Sequence, residues 1–416
     1  MRLARYAAPW LLPIEGPPVP DGAVLVDGHG RIAAAGPAAL VPTPPEAYLE
    51  RLDDAVLLPG LVNTHSHLEL TGLEGQVEDA DFAGWIRHLI LLKARRSVDE
   101  VRAAAARGIR EGWASGVTTV ADTGDSGAVI EALAGLGGSG IAYHEVFGPH
   151  PAQVEEAFRG WVGRLDELGR FAGERVTLGG SPHAPYSVSG PLYARVARHA
   201  EEVGLPLAVH LAESAEESAL LAGQGGAFAE GWKRREIPLP GAPGCTPVAW
   251  LDRHAVLGPR TLCIHVVQAT GSDLDTLARR GVAVAHCPQS NQRHGHGRAP
   301  LAAMRQRGIR VGVGTDSVVS VSPLDLFAEA RAAGQLAGLT PGEMLALVTL
   351  DAARALGLEA GIGSLVPGKW ADLVALDLPP QVDAEALQDT VLTRPRMACR
   401  LTLLGGREVY RRGVAL

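Results

Sequence analysis

The chain has 416 residues, 46% hydrophobic and 20% charged, with a formal net charge of −8. That is the composition of a soluble globular protein, long enough for one large domain and a smaller one. The acidic balance, with no basic group larger than Lys233-Arg234-Arg235, argues against nucleic-acid binding through phosphates. No apolar run approaches the roughly 20 residues of a membrane span.

In chain order, the opening MRLARYAAPWLLP carries an arginine pair and an apolar stretch. Its prolines and the lack of a small-residue cleavage site favour a first β-strand over a signal peptide. AVLVDGHGRIAAAG reads as strand, turn, strand. From about residue 57 to 361, apolar strands alternate with alanine-rich amphipathic helices, the pattern of βα units in a parallel sheet. The eight strands are LLPGLVNTH, GVTTVADTG, GIAYHEVFG, RVTLGGSPH, LPLAVHLAE, TLCIHVVQ, VAVAHCPQ and RVGVGTDS. Helices are expected between them, for example over Val101–Trp113, Pro191–Val203 and Gly271–Arg280. After residue 361 the chain returns to strands and turns, in IGSLVPGKWADLVALDL and ACRLTLLGGREVYRRG. The expected fold is α/β: a (β/α)8 TIM-type barrel over 57–361, with a small β-sandwich built from both chain ends, 1–56 and 362–416. The four cysteines, Cys245, Cys263, Cys287 and Cys399, are widely spaced and lack a CxxC pair. They read as reduced thiols of a cytoplasmic protein.

The chemistry sits at the strand ends. His65 and His67 follow the first strand, and His183 follows the fourth. His210 and Glu213 close the fifth, His265 the sixth and Asp316 the eighth. Barrel enzymes build their sites at this C-terminal mouth. Alternate residues of a strand share a face, so His65 and His67 can point together. An HxH pair alone is a weak signal. With His210 and Asp316 it becomes a donor set for a zinc-type ion that leaves a position open for water. Such an ion lowers the pKa of water toward about 7. Glu213 is placed to move protons to and from that water, and His265 to orient it. The same ligand types suit zinc, iron or manganese.

PGLVNTHSH, SPHAPYSVS, HLAES, HCPQSN, GTDS and GSLVPGKWADLVALD, in that order, resemble the amidohydrolase superfamily over nearly the whole chain. The matching branch holds cytosine and guanine deaminases, chlorotriazine hydrolases and S-adenosylhomocysteine/methylthioadenosine deaminases. The resemblance implies one divalent metal, zinc before iron or manganese, on His65, His67, His210 and Asp316. It implies Glu213 as proton shuttle and His265 as its assistant at the water. His183 stands where two-metal members carry a carboxylated lysine, which implies a single metal and a substrate contact for His183.

HSHLELT, HEVFG and HLAES most resemble the aminodeoxyfutalosine deaminases of menaquinone synthesis, which turn an adenine into hypoxanthine. On that resemblance Glu69 and Trp85 are substrate-binding residues, although Trp85 also fits a plain apolar helix face. Arg293 and Arg298 are expected, from charge alone, to pair with a substrate carboxylate. The His294-Gly295-His296 pair after strand seven is not read as a second metal site. The remaining readings are a deaminase for S-adenosylhomocysteine, methylthioadenosine, adenosine or guanine, a chlorohydrolase, or a non-catalytic scaffold. The expected partner is a small nucleoside-type molecule, with no nucleic acid and no membrane. A homodimer is compatible with the sequence.

Overall fold

The computed structural model describes residues 2–78, 81–240, 244–395 and 398–414. Eight parallel strands form one sheet in chain order: β1 (Leu61–Ser66), β2 (Val117–Gly124), β3 (Gly140–Val146), β4 (Val176–Pro182), β5 (Leu207–Leu211), β6 (Thr261–His265), β7 (Ala283–His286) and β8 (Arg310–Val313). Nearly all of their residues are buried, as expected for parallel strands covered on both faces. All eight expected strands are present.

The sheet closes into a barrel through a short seam between β1 and β8. Thr315 and Asp316 donate their backbone N–H groups to the His65 carbonyl at 3.0 and 3.1 Å. The Asn63 amide adds a bond to Thr315 Oγ1 at 2.8 Å and accepts the Thr315 N–H at 3.1 Å. Gly314 makes this approach feasible: a Cβ there would lie 2.6 Å from His65 N and 2.8 Å from His65 Cβ.

The helices form where the pattern places them. Val98–Ala114 starts at a Ser97/Glu100 capping box and buries Ala104, Ala105, Gly108, Ile109 and Trp113 on one stripe. Gly271–Arg280 has a Thr270/Asp273 capping box and ends at Gly281. Such caps contribute about 1 kcal/mol each. Burying a side chain such as Ile109 contributes roughly 1.5–3 kcal/mol more.

Both chain ends build a second, mixed sheet of eight strands. Seven of its strands form one connected path and the eighth, Tyr48–Arg51, pairs with Ala4–Leu11 beside it. An isolated Arg31–Trp370 bridge links the residues before Ile32–Pro37 to those before Leu373–Asp377. Alternation sorts its residues between two cores. Leu57, Leu373, Ala375, Leu401 and Leu403 join the sheet's own core, while Val56, Leu58, Val374, Leu376 and Leu404 join the barrel's. The Arg175 guanidinium grips the Asp372 carboxylate at 2.6 and 3.2 Å and ties the sheet to the barrel.

Two details differ from expectation. The run LLPGLVNTH is divided at Gly60. Ala55–Pro59 pairs with Leu373–Asp377 in the second sheet, and only Leu61 onward enters the barrel. The strand therefore crosses the expected 56/57 boundary. In addition, Leu387–Thr393 is a helix within the C-terminal segment, with Leu387, Val391 and Leu392 in the barrel's core.

Two glycines, one at the seam and one in a helix, differ in what an added methyl would meet. Gly314→Ala should destabilise the fold by roughly 1–3 kcal/mol, because its methyl meets backbone. Gly160→Ala lies in a helix interior with nothing within 4 Å of its added methyl, and should stabilise by up to about 1 kcal/mol. Denaturant melts of both variants measure this directly.

Candidate active site at the mouth of the barrel

Five of the expected residues converge at the C-terminal mouth. His65, His67 and Asp316 offer ligand atoms within 4.8 Å of one another, as do His65, His210 and His265. His65 belongs to both groups, and His210 also belongs to a third, with Glu145 and His183. The Asp316 Oδ1 lies 3.7 Å from His65 Nε2 and 3.6 Å from His67 Nε2. His65, His210, His265 and Asp316 are all buried.

The backbone at the strand tips is unusual. Ala212, His265, Val266 and Asp316 have φ of 49°, 71°, 52° and 57°. Left-handed non-glycine residues cost about 1–3 kcal/mol each. At these tips they interrupt the two-residue alternation of the strand, so neighbouring residues can turn toward one centre.

Each imidazole but one is held through Nδ1. His67 Nδ1 faces the Thr123 carbonyl at 2.8 Å, His210 Nδ1 the His183 carbonyl at 3.2 Å, and His265 Nδ1 the Asn291 Oδ1 at 2.9 Å. A carbonyl or amide oxygen can only accept, so the facing Nδ1 carries the proton and, in the neutral ring, Nε2 is left with its lone pair facing inward. Both nitrogens of His65 and Nε2 of His265 are buried with no hydrogen-bond partner. Buried nitrogen of this kind is costly unless something binds it. A divalent cation fits: neutral inward nitrogens, one carboxylate, and no competing protein donor. Burial pushes the His65, His67, His210 and His265 pKa values down, which favours the neutral form that binds metals. Burial works against ionisation of Asp316, but the surrounding histidines hold its pKa well below the usual range.

Glu213 sits beside this cluster. Its Oε1 is 3.5 Å from His265 Nε2 and 3.3 Å from His296 Nε2. Burial would raise its pKa, yet His265 and His296 outweigh that and bring it down to about 2. The carboxylate is held in its ionised form. Its loop is shaped by Glu217, which accepts the N–H groups of Ala212 and Glu213 at 2.9 Å each. Burial drives the Glu217 pKa up to about 8.

A cavity of about 470 Å³ opens over the cluster. That volume suits a small organic ligand. Phe82, Trp85, Ile86, Leu89 and Tyr186 line its apolar side. His183 is on the wall, fixed by Ser187 Oγ at 2.7 Å, and burial holds it neutral, with its pKa near about 3. Trp85 stacks on Phe82 and meets His294 edge-on at 4.6 Å, so it lines the cavity and packs in the helix face at once. Glu69 is also on the wall, but its carboxylate is engaged by Lys93 Nζ at 2.9 Å and by Ser126 Oγ.

Arg293 and Arg298 do not reach the cavity. Both are exposed, and Arg298 faces a separate groove with Gln292 and Gly297. The inward side of their loop is occupied by Ser290, Asn291 and His296, all buried. Charge alone did not reveal which way the loop faces. Among the described residues, the cations on the cavity wall are Lys93 and Arg96.

Sequence reasoning missed several working residues. Ser290 Oγ donates to Asp316 Oδ2 at 2.5 Å, and Asn291 holds His265; the SN of HCPQSN is therefore a support for two site residues. Asp122 accepts from Ser66 Oγ and Leu68 N at 2.8 and 2.7 Å and fixes the turn that carries His67. Glu145 lines the cavity with one buried oxygen unpartnered, and burial raises its pKa. A polar residue following an apolar run was the available signal for Asp122 and Glu145.

Residues 56–409 match the family model described as the amidohydrolase family. The 5-methylthioadenosine/S-adenosylhomocysteine deaminase of Symbiobacterium thermophilum is 32% identical over 397 residues, covering 88% of this chain and 84% of the relative. The same-named enzyme of Moorella thermoacetica is 33% identical over 399 residues, covering 90% and 87%. Among solved structures, an adenosine deaminase from Xanthomonas campestris with bound zinc superposes with a TM-score of 0.83 at 27% identity, covering 97% of this chain and 92% of the other. Helicobacter pylori aminofutalosine deaminase in complex with methylthio-coformycin gives 0.85 at 20% identity, covering 98% and 100%; at that identity the likeness concerns the fold. From the ligand geometry and the extent of these matches, the chain belongs to the amidohydrolase family, as a hydrolase acting on carbon–nitrogen bonds.

Proposed function

We propose that this chain is a hydrolytic deaminase of an adenine nucleoside, and that its substrate is 6-amino-6-deoxyfutalosine, converted to the hypoxanthine product with release of ammonia. The observation that carries the deaminase reading is Glu213: an ionised carboxylate at the rim of a histidine–aspartate cluster, facing a cavity of nucleoside size. The choice of substrate rests on the resemblance of HSHLELT, HEVFG and HLAES. Lys93 and Arg96 replace Arg293 and Arg298 as the cations on the cavity wall. Lys93 is paired with Glu69 and Asp125 and Arg96 with backbone carbonyls, so a substrate carboxylate would share them with these partners. A second reading, deamination of methylthioadenosine or S-adenosylhomocysteine, is favoured by the 30–33% identical relatives.

His65, His67, His210 and Asp316 would hold one divalent ion, for which we propose zinc. When bound it activates water and supports the charge that develops on oxygen. The chain's own groups do the rest. Glu213 takes a proton from the water and passes it to the ring nitrogen beside the amino-bearing carbon. His265 and Asp316 flank the water and orient it toward that carbon. Water's oxygen bonds to the carbon, Glu213 carries the second proton to the amino group, and the carbon–nitrogen bond breaks. Water and the amine become the ring carbonyl and ammonia. His183, neutral and held by Ser187, is placed to hydrogen-bond the nucleoside, and the Phe82–Trp85 wall to exclude bulk water. Cytoplasmic location belongs to the same proposal: the four cysteines are free and buried. Among the described residues no helix is long and apolar enough to cross a membrane.

Ammonia release should be strongest with aminodeoxyfutalosine in a steady-state comparison with S-adenosylhomocysteine, methylthioadenosine, adenosine and guanine. Preference for a sulfur nucleoside would replace the substrate and keep the mechanism. Glu213→Gln keeps shape and removes the base. It should lower kcat by about 10²–10⁴-fold without changing metal content, and a variant with wild-type kcat would remove Glu213 from the mechanism.

A further inference from the structure

The loop after β7 reads His294-Gly295-His296-Gly297. Gly295 and Gly297 have φ of 68° and 111°, conformations that glycine adopts at little cost. Between these two turns the chain doubles back and carries His296 into the site. The loop is pinned there: His296 N donates to the Asn291 carbonyl at 2.9 Å, and the Gln268 amide donates to the His296 carbonyl. The imidazole is buried, with Phe82 edge-on at 4.5 Å and His294 stacked at 5.4 Å.

Two imidazoles face Glu213 Oε1, and only one is free to donate. His265 Nδ1 lies 2.9 Å from an amide oxygen, so its proton resides there, and a neutral imidazole has one N–H. Its Nε2 therefore presents a lone pair to the carboxylate. His296 Nε2, at 3.3 Å, has no other acceptor among the described residues and is the group able to donate. The two atoms are within reach but not aligned as a hydrogen bond, and Nε2 has no hydrogen-bond partner in the free chain; catalytic hydrogen bonds are often poorly aligned before substrate closes a site.

We propose that His296 is a positioning residue that aims the Glu213 carboxylate at the substrate's ring nitrogen by donating a hydrogen bond to Oε1. This rests on the deaminase reading of the site. It gives the HGHG segment a purpose in the active site: the glycines make the double turn, and the second histidine uses it. The carboxylate needs such a partner because Glu217 holds only the backbone of its loop. The side chain would otherwise be free to rotate into the cavity.

His296→Phe keeps the ring packed under Phe82 and removes the donor; His296→Gln restores an N–H. With the nucleoside that the wild type turns over, H296F should lose roughly 10–100-fold in kcat, the usual effect of removing a hydrogen-bonding partner behind a site. KM should change little, H296Q should recover most of the loss, and metal content should be the same in all three proteins. Crystal structures supply the substrate-independent readout: Glu213 should leave its place in H296F and keep it in H296Q. Wild-type kcat in H296F, or Glu213 unmoved in its crystal structure, overturns the proposal. So does an equal loss in H296Q with Glu213 in place. A wild type that releases ammonia from no nucleoside counts against the deaminase reading, while the two crystal structures still decide what His296 does.

Discussion

The structure depends on how the barrel closes. β1 and β8 meet over a few hydrogen bonds at their C-terminal ends, where Thr315 and Asp316 both donate to the His65 carbonyl. Two of the three, His65 and Asp316, are ligand candidates. The bond that closes the barrel therefore also sets the distance between His65, His67 and Asp316. Gly314 permits the approach, and the Asn63–Thr315 pair keeps it in register. A barrel that closed one residue out of register would lose the bonds from Thr315 and Asp316 to the His65 carbonyl, and with them the placement of Asp316 beside the histidines.

The site has its own cost in stability. Imidazole nitrogens and carboxylates are buried together, several strand-tip residues are left-handed, and two nitrogens of His65 lack partners. The surrounding fold tolerates this because each of the other inward histidines is braced by a protein acceptor, and the Asp316 carboxylate by Ser290 and the Ser317 N–H. A metal ion would remove part of the remaining penalty by binding the inward lone pairs, one nitrogen of His65 among them. Stability and metal affinity are then linked, since an ion that binds only the folded chain stabilises it.

The strands and the ligand set were legible because they obey short-range rules. Apolar runs of strand length each ended in a polar side chain, and the two-residue period placed His65 and His67 on one face. Residues that act from loops were not legible in the same way. Ser290, Asn291 and His296 lie in one short segment whose turns depend on tertiary contacts, and nothing local says that they face inward while Arg293 and Arg298 face water. The division of LLPGLVNTH at Gly60 was hidden for a related reason. The apolar run continues from Leu57 across Gly60 to Val62 without a polar break, and only the pairing of Ala55–Pro59 with Leu373–Asp377, more than 300 positions away, assigns its two halves to different sheets.

The central claim is that closing the barrel creates a site for one divalent ion. Elemental analysis of purified wild type and Asp316→Asn tests it most directly. The expected result is close to one equivalent of metal per chain in the wild type and a large loss in the variant, with the variant's far-UV circular dichroism unchanged. A wild-type protein that catalyses deamination with no bound metal, or an Asp316→Asn variant that keeps its full equivalent, would contradict the account.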